Sequence, residues 1–297
     1  MSKQQLRLID QQLRQTSFGG TTIEEQRSAF ERMSRGWRVS DRVSVTDEQL
    51  AGIPALRVEP LDGKRRGTIL YFHGGSWIVG SPRTALGLTS ELVARTGMSA
   101  FSLDYALAPE HPFPAGIESG VEAYRALLDS GLDPAQIAFA GDSAGGGLSV
   151  TTALAARAAG LPLPGAIVAF SGGFDATRSG ESMESKADAD PLLTRAALEA
   201  SGSLYLAGQD PDQELLSPAT RADLAGFPPM LLQVGSNEVL LDDSTRLAVR
   251  AAAAGVDVIL DVTADASHVF QALVGVLDEA DAALDRAAQF LSARIAA

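Results

Sequence analysis

Gly141-Asp142-Ser143-Ala144-Gly145 follows the short apolar run Ile137-Ala138-Phe139 and leads straight into an Ala-rich segment. A strand, a glycine-flanked serine and a helix are the parts of a nucleophile elbow. The turn must be sharp, the serine is held in a strained backbone conformation, and small flanking residues let the neighbouring backbone close in. An ordinary Gly-rich turn between strand and helix is the plain alternative. The strand before it and the helix after it favour the elbow, with Ser143 as nucleophile.

Upstream, Asp62-Gly63 marks a turn, and the continuous apolar run Thr68-Ile69-Leu70-Tyr71-Phe72 predicts a buried strand. His73-Gly74-Gly75-Ser76-Trp77 follows it directly. A glycine pair there lets backbone N–H groups of Gly74 and Gly75 point into a cavity. With the N–H of Ala144 they can hold an oxyanion. The plain alternative is a tight turn, but the two motifs in this order are more specific than either alone.

Around these motifs the chain alternates. Strands are predicted at 99–103, 136–140, 166–170, 230–234 and 256–262. Helices are predicted near 83–96, 116–129, 144–159, 242–254 and 270–295. Short apolar strands separated by helices indicate a parallel sheet covered on both faces, an α/β architecture in one domain over 1–297. Short alternating strands are expected at Arg38–Val45 and Ala55–Val58. Leu6, Ile9 and Leu13 recur at helical spacing, and a second helix starts at Thr21-Thr22 with Glu24 and Glu25 in its first turn. Residues 176–212 are polar and interrupt the rhythm. With residues 1–40 they are expected to form a cap over the C-terminal edge of the sheet, where open α/β sheets bind ligands.

Composition narrows the function. The 297 residues carry 37 acidic and 24 basic side chains, a formal charge of −13. That charge repels phosphate backbones and anionic lipid surfaces, so no nucleic-acid or membrane partner is expected. There are no cysteines, which excludes disulfides, thiolate catalysis and cysteine-bound zinc. No apolar run approaches a membrane span and the N-terminal stretch is polar, so a cytoplasmic location is expected.

Three histidines are present: His73, His111 and His268. None is at i, i+4 spacing to another, so no metal site is expected. In a sheet with this elbow, the catalytic order along the chain is serine, acid, histidine. His268 alone follows Ser143, which makes it the candidate base. His73 is expected to orient its own loop, and His111 to be structural. For the acid, both Glu238 and Asp242 stand past the strand 230–234. Glu238 is among the first side chains beyond the strand end, whereas Asp242 precedes an Ala-rich run and has a helix-capping alternative.

Together these stretches resemble the bacterial hormone-sensitive-lipase-like esterases of the α/β-hydrolase superfamily. The resemblance runs through His73-Gly74-Gly75, Leu103-Asp104-Tyr105-Ala106-Leu107-Ala108-Pro109-Glu110-His111-Pro112-Phe113-Pro114, Gly141-Asp142-Ser143-Ala144-Gly145-Gly146 and His268-Val269-Phe270. It implies an eight-stranded, mostly parallel sheet with a helical cap, no cofactor, and hydrolysis of small-molecule, short- to medium-chain carboxylic esters. It implies an oxyanion hole from Gly74, Gly75 and Ala144, with Asp142, Asp104 and Glu110 as braces. It also places Glu238 in the acid position and makes a homodimer an expectation. The chain departs from the family pattern at Ser76, where a third glycine is usual, at Glu238, where aspartate is usual, and over Thr263–Ser267. A lactonase or deacetylase would use the same residues. A non-catalytic binding protein would be expected to lack the serine or histidine, and an interfacial lipase would be expected to show an apolar lid.

Overall fold

The computed structural model describes residues 2–15, 22–63 and 66–295. The Thr21 part of the expected helix start, and the outermost residues of the expected domain, lie outside them. In chain order the elements are α1 (Ser2–Arg14), α2 (Ile23–Ser34), β1 (Val43–Leu50), β2 (Ile53–Pro60), β3 (Thr68–Phe72), α3 (Leu86–Thr96), β4 (Ser99–Leu103), α4 (Ala115–Asp129), β5 (Ile137–Asp142) and α5 (Ala144–Ala158). There follow β6 (Ala166–Phe170), α6 (Ser182–Ser185), α7 (Arg195–Leu206), α8 (Pro218–Arg221), β7 (Met230–Gly235), α9 (Leu241–Ala253), β8 (Val258–Thr263) and α10 (Asp278–Arg294).

The strands form one eight-stranded sheet in the order β1-β2-β4-β3-β5-β6-β7-β8. β2 is antiparallel to both β1 and β4, and every other pairing is parallel. Every residue of β3 is buried because both faces of the sheet are covered. Leu70 and Phe72 pack with Phe139, Ile167, Tyr124, Leu154 and Leu247 under α4, α5 and α9. Ile69 and Tyr71 face the other way, against Leu88, Leu92, Leu284 and Leu291 of α3 and α10. Burial on both sides is why these strands carry no alternation in sequence.

Two boundaries differ from the sequence expectation. The strand expected from Arg38 starts at Val43, because the Ser40 N–H bonds Ser90 Oγ at 3.0 Å and draws that stretch onto α3. β1 then returns into β2 through Ala51 and Gly52, both at positive φ, as a two-residue hairpin requires. The long final helix expected over 270–295 is two pieces. A 3₁₀ turn at Phe270–Leu273 stops at Gly275, with φ 78°, before α10 begins.

The segments expected to form a cap pack on loops at the C-terminal ends of the parallel strands. Leu6 and Ile9 of α1 sit on Ala266, Phe270 and Ala280. Ile23 and Phe30 of α2 join Tyr205 of α7 against Ile78 and Val79, just past β3. Met183 and Leu198 cover Val239 and Leu240, just past β7. Among the described residues no helix is long and apolar enough to cross a membrane.

Candidate active site

The chemistry-bearing residues all stand one to five positions beyond a parallel strand: Gly74–Trp77 after β3, Ser143 after β5, Ser171 after β6, Glu238 after β7 and His268 after β8. Ser143 occupies the N-cap of α5 at φ 53° and ψ −120°. Its N–H donates to Phe170 O at 2.8 Å, and its carbonyl accepts the N–H groups of Gly147 and Gly173, each at 3.1 Å. The first turn of α5 lies so close to β3 that a Cβ on Gly145 would stand 2.0 Å from Phe72 O. Glycine is therefore required there, and the tight turn lifts the serine side chain clear of the sheet.

Ser143 Oγ lies 2.9 Å from His268 Nε2, and His268 Nδ1 lies 2.8 Å from Glu238 Oε2. Glu238 is fully buried. Its second oxygen, Oε1, accepts the Ser171 hydroxyl at 2.7 Å and the Gly235 N–H at 2.5 Å. The Ser171 hydroxyl in turn accepts the Val269 N–H at 3.0 Å. The imidazole meets Glu238 and not Asp242, which accepts the Ser182 N–H at 3.0 Å and stands in the first turn of α9. The loops carrying Glu238 and His268 are laced together as well: Asn237 N–H donates to Ala266 O at 3.0 Å, and Asp265 N–H to Ser236 Oγ at 2.8 Å. The unusual Thr263–Ser267 stretch is thus built into this lacing.

Several of these residues hold left-handed backbone conformations that side chains rarely adopt. Ser143 is at φ 53°, Ser171 at 50°, Val269 at 50°, Ser76 at 52° and Trp77 at 62°.

Burial opposes charge on His268, but Glu238 hydrogen-bonds it and the carboxylates of Glu238, Asp190 and Asp142 face it. The net effect holds its pKa above the ordinary histidine value. His73 is the opposite case: burial pushes its pKa down to about 4. Its Nδ1 lies 2.8 Å from Gly74 O, its ring stacks on Tyr105 at 4.2 Å, and Nε2 is buried without a partner among the described residues. A neutral ring in this setting supports the glycine loop and has no route to a proton.

Asp142 is clamped beneath that loop. The Tyr71 hydroxyl donates to its Oδ1 at 2.9 Å, and the Gly74 N–H is turned to the same carboxylate, while burial lifts its pKa to about 6. The Gly74 donor therefore interacts with Asp142. The N–H groups of Gly75, Ser76 and Ala144 meet no protein acceptor among the described residues.

The other expected braces diverge. Glu110 takes both ends of the Arg27 guanidinium, at 2.8 and 2.7 Å, and Arg27 also donates to Ile78 O and Ala108 O. That pair ties α2 to two loops of the site and, through Arg27, holds the Glu110 carboxyl down at about 2. Asp104 is exposed and its side chain has no hydrogen bond among the described residues. Its loop is held instead by its backbone N–H on Pro54 O and by the Tyr105 hydroxyl on His73 O at 2.8 Å. His111 is exposed. Among the described residues no group of three or more His, Asp or Glu could hold a metal.

Ser171, Asp190, Tyr71 and Arg27 were not evident as site residues in the sequence. Ser171 carried one usable signal, since it is the first residue past a buried parallel strand, as Ser143 is.

Residues 69–272 match the family model described as alpha/beta hydrolase fold. An acetyl-hydrolase of Streptomyces hygroscopicus is 43% identical over 224 residues, 75% of each chain. An esterase of Acinetobacter venetianus is 34% identical over 267 residues, 89% of this chain and 87% of that one. The crystal structure of an esterase from the bacterial hormone-sensitive lipase family superposes with a TM-score of 0.94 at 39% identity, covering 98% of both chains. A hormone-sensitive-lipase homologue from a metagenome library gives 0.93 at 41%, covering 98% of this chain and 99% of that one. With the family model matched over residues 69–272 and the fold shared across nearly the whole length at about 40% identity, the chain belongs to the bacterial hormone-sensitive-lipase-like esterases of the α/β-hydrolase fold.

Proposed function

We propose that this enzyme is a carboxylesterase that hydrolyses soluble esters of short acyl chains through Ser143, His268 and Glu238. The observation that carries the reading is the unbroken line from Ser143 Oγ to His268 Nε2, at 2.9 Å, and from Nδ1 to Glu238, at 2.8 Å. His268 accepts the Ser143 proton as Oγ attacks the ester carbonyl carbon. The oxyanion formed is met by the N–H groups of Gly75, Ser76 and Ala144, with Ser76 taking the place that Gly74 gives up to Asp142. His268 then delivers its proton to the departing alcohol oxygen as the C–O bond breaks. Water, deprotonated by His268, attacks the acyl-enzyme and the steps repeat. Glu238 holds the imidazole with Nδ1–H toward itself and stabilises the transient imidazolium.

The short-chain reading rests on an aromatic wall. Trp77 stacks on Tyr205 at 4.7 Å and 10°, and Phe113 meets Tyr205 edge-on at 5.9 Å. The Trp77 ring lies over Gly147 and Gly173, where a Cβ would meet it at 3.6 and 3.4 Å. These are the two glycines bonded to the Ser143 carbonyl, so the indole stands beside the nucleophile. Residues 1–40 and 176–212 act as the cap in this reading, with α2 and α7 backing the wall. The acetyl-hydrolase name of the Streptomyces relative agrees with a small acyl group.

The test is Ser143→Ala with p-nitrophenyl esters of increasing chain length and a fluorophosphonate label. Wild type is expected to label and to prefer acetate or butyrate; the variant is expected to do neither while melting close to wild type. A residual ~10³-fold rate over water from the oxyanion hole is compatible with the assignment. Turnover near wild type in the variant would overturn it.

A further inference from the structure

We infer that the stretch from Ser182 to Leu193 is a strap that positions the Glu238–His268 pair, with Asp190 as its positioning residue. The inference rests on the triad reading above.

The strap grips the peptide groups next to the acid from both sides. Asp190 Oδ2 accepts the Val239 N–H at 3.0 Å, one residue beyond Glu238. Ser182 Oγ donates to the Val239 carbonyl at 2.6 Å and accepts the Asp242 N–H at 3.0 Å. Val239 itself is fully buried beside Met183, Leu198 and Leu240. The other Asp190 oxygen accepts the N–H groups of Leu192 and Leu193, both at 2.9 Å, so the carboxylate is saturated on the strap side as well. Asp190 is 5% exposed, and a buried carboxylate is stable only with such donors.

The strap is anchored in turn by the N-terminal helix. Arg14 Nη2 donates to the carbonyls of Asp188 and Ala189, at 3.1 and 3.0 Å, while its Nε pairs with Asp10. The same helix packs Leu6 and Ile9 against Ala266 and Phe270, two residues before and two after His268. Through α1 and the strap, one unit touches the acid loop and the base loop at once. Glu238 has no freedom to retreat from the imidazole, which is the displacement that a carboxylate on a loop would otherwise make. Asp190 also contributes a charge: with Glu238 and Asp142 it is one of the three carboxylates whose negative charge favours the protonated His268 ring.

The experiment is kcat and KM across pH on the full chain with p-nitrophenyl butyrate, for Asp190→Asn and Ser182→Ala, with active serine counted by fluorophosphonate. Asp190→Asn removes the charge and one acceptor; Ser182→Ala loosens the grip without changing charge. Misplacing a catalytic group slightly lowers rate strongly, so Asp190→Asn is expected to lose ~10–100-fold in kcat per active serine with KM within about twofold, and Ser182→Ala several-fold. Loss of a facing negative charge lowers the His268 pKa, so the acid limb of the profile moves to lower pH in Asp190→Asn and stays in place in Ser182→Ala. Wild-type kcat per active serine in Asp190→Asn, or a fall in melting with an unmoved limb, overturns the inference. If Asp190→Asn does not fold, Ser182→Ala decides on kcat alone. An inactive Ser143→Ala beside a fully active Asp190→Asn removes the strap and leaves the triad; an active Ser143→Ala removes both.

Discussion

Ser171 holds Glu238 and Val269 with one hydroxyl, donating to the Glu238 Oε1 at 2.7 Å and accepting the Val269 N–H at 3.0 Å. Glu238 and the residue after His268 thus share a single atom, and the Glu238 oxygen facing away from His268 is fully engaged. An extra methylene relative to aspartate is accommodated because Ser171 and Gly235 meet the longer side chain.

Glu238→Gln is expected to lose ~10⁴-fold in kcat, because an amide facing Nδ1 favours the wrong imidazole tautomer. Asp242→Asn is expected to keep kcat and to lower melting, since Asp242 meets the Ser182 N–H and the first turn of α9. Both rates and melting curves are needed. A large kcat loss in Asp242→Asn with none in Glu238→Gln would reverse the roles.

The pH profile follows from the direction of the His268 shift. The base works only when neutral, and its pKa is raised, so activity is lost as pH falls through a value above the ordinary histidine pKa of about 6.5. Activity on p-nitrophenyl butyrate is therefore expected to rise through neutrality and level in mild alkali. His73, held near 4, stays neutral across that window and adds no second limb. A rate already flat by pH 6 would contradict a base held by Glu238.

Trp77→Ala is expected to open the acyl side. One methylene is worth roughly tenfold in an apolar pocket, so the octanoate-to-butyrate ratio of kcat/KM should rise by about that factor or more. Absolute rates should fall as well, because Trp77 adjoins the oxyanion loop. The ratio is the informative quantity, and Tyr205→Ala should move it the same way. An unchanged ratio in both would place the chain-length limit elsewhere.

The sheet, its order of elements and the placing of Ser143 and His268 beyond their strands were legible in the sequence because each rests on local signals. Ile137–Phe139 and Thr68–Phe72 declare buried strands, the glycines around Ser143 declare a sharp turn, and His268 is the one histidine beyond it. The acid needed more, since Glu238 and Asp242 stand four residues apart and only the tertiary path of the 235–238 loop separates them. The hairpin at Ala51–Gly52 and the break at Gly275 were visible as glycines without a declared role. Ser171, Asp190 and Arg27 were not legible, because each works through a partner distant in sequence: Glu238, Val239 and Glu110 respectively. The approach of Gly74 to Asp142 likewise depends on where a neighbouring strand puts one carboxylate.

Ser76, Trp77, Ser143, Ser171 and Val269 all hold backbone angles that their own side chains disfavour, and Val269, being β-branched, disfavours them most. Each such residue costs on the order of 1–3 kcal/mol, so together they consume an amount comparable to the net stability of a whole domain. The doubly covered sheet supplies the surplus that keeps them in place. Selection for heat resistance alone would erode this cluster, since relaxing any of these angles steadies the fold and blunts the enzyme. Room for hardening the protein lies instead in the exposed helix surfaces, away from this cluster.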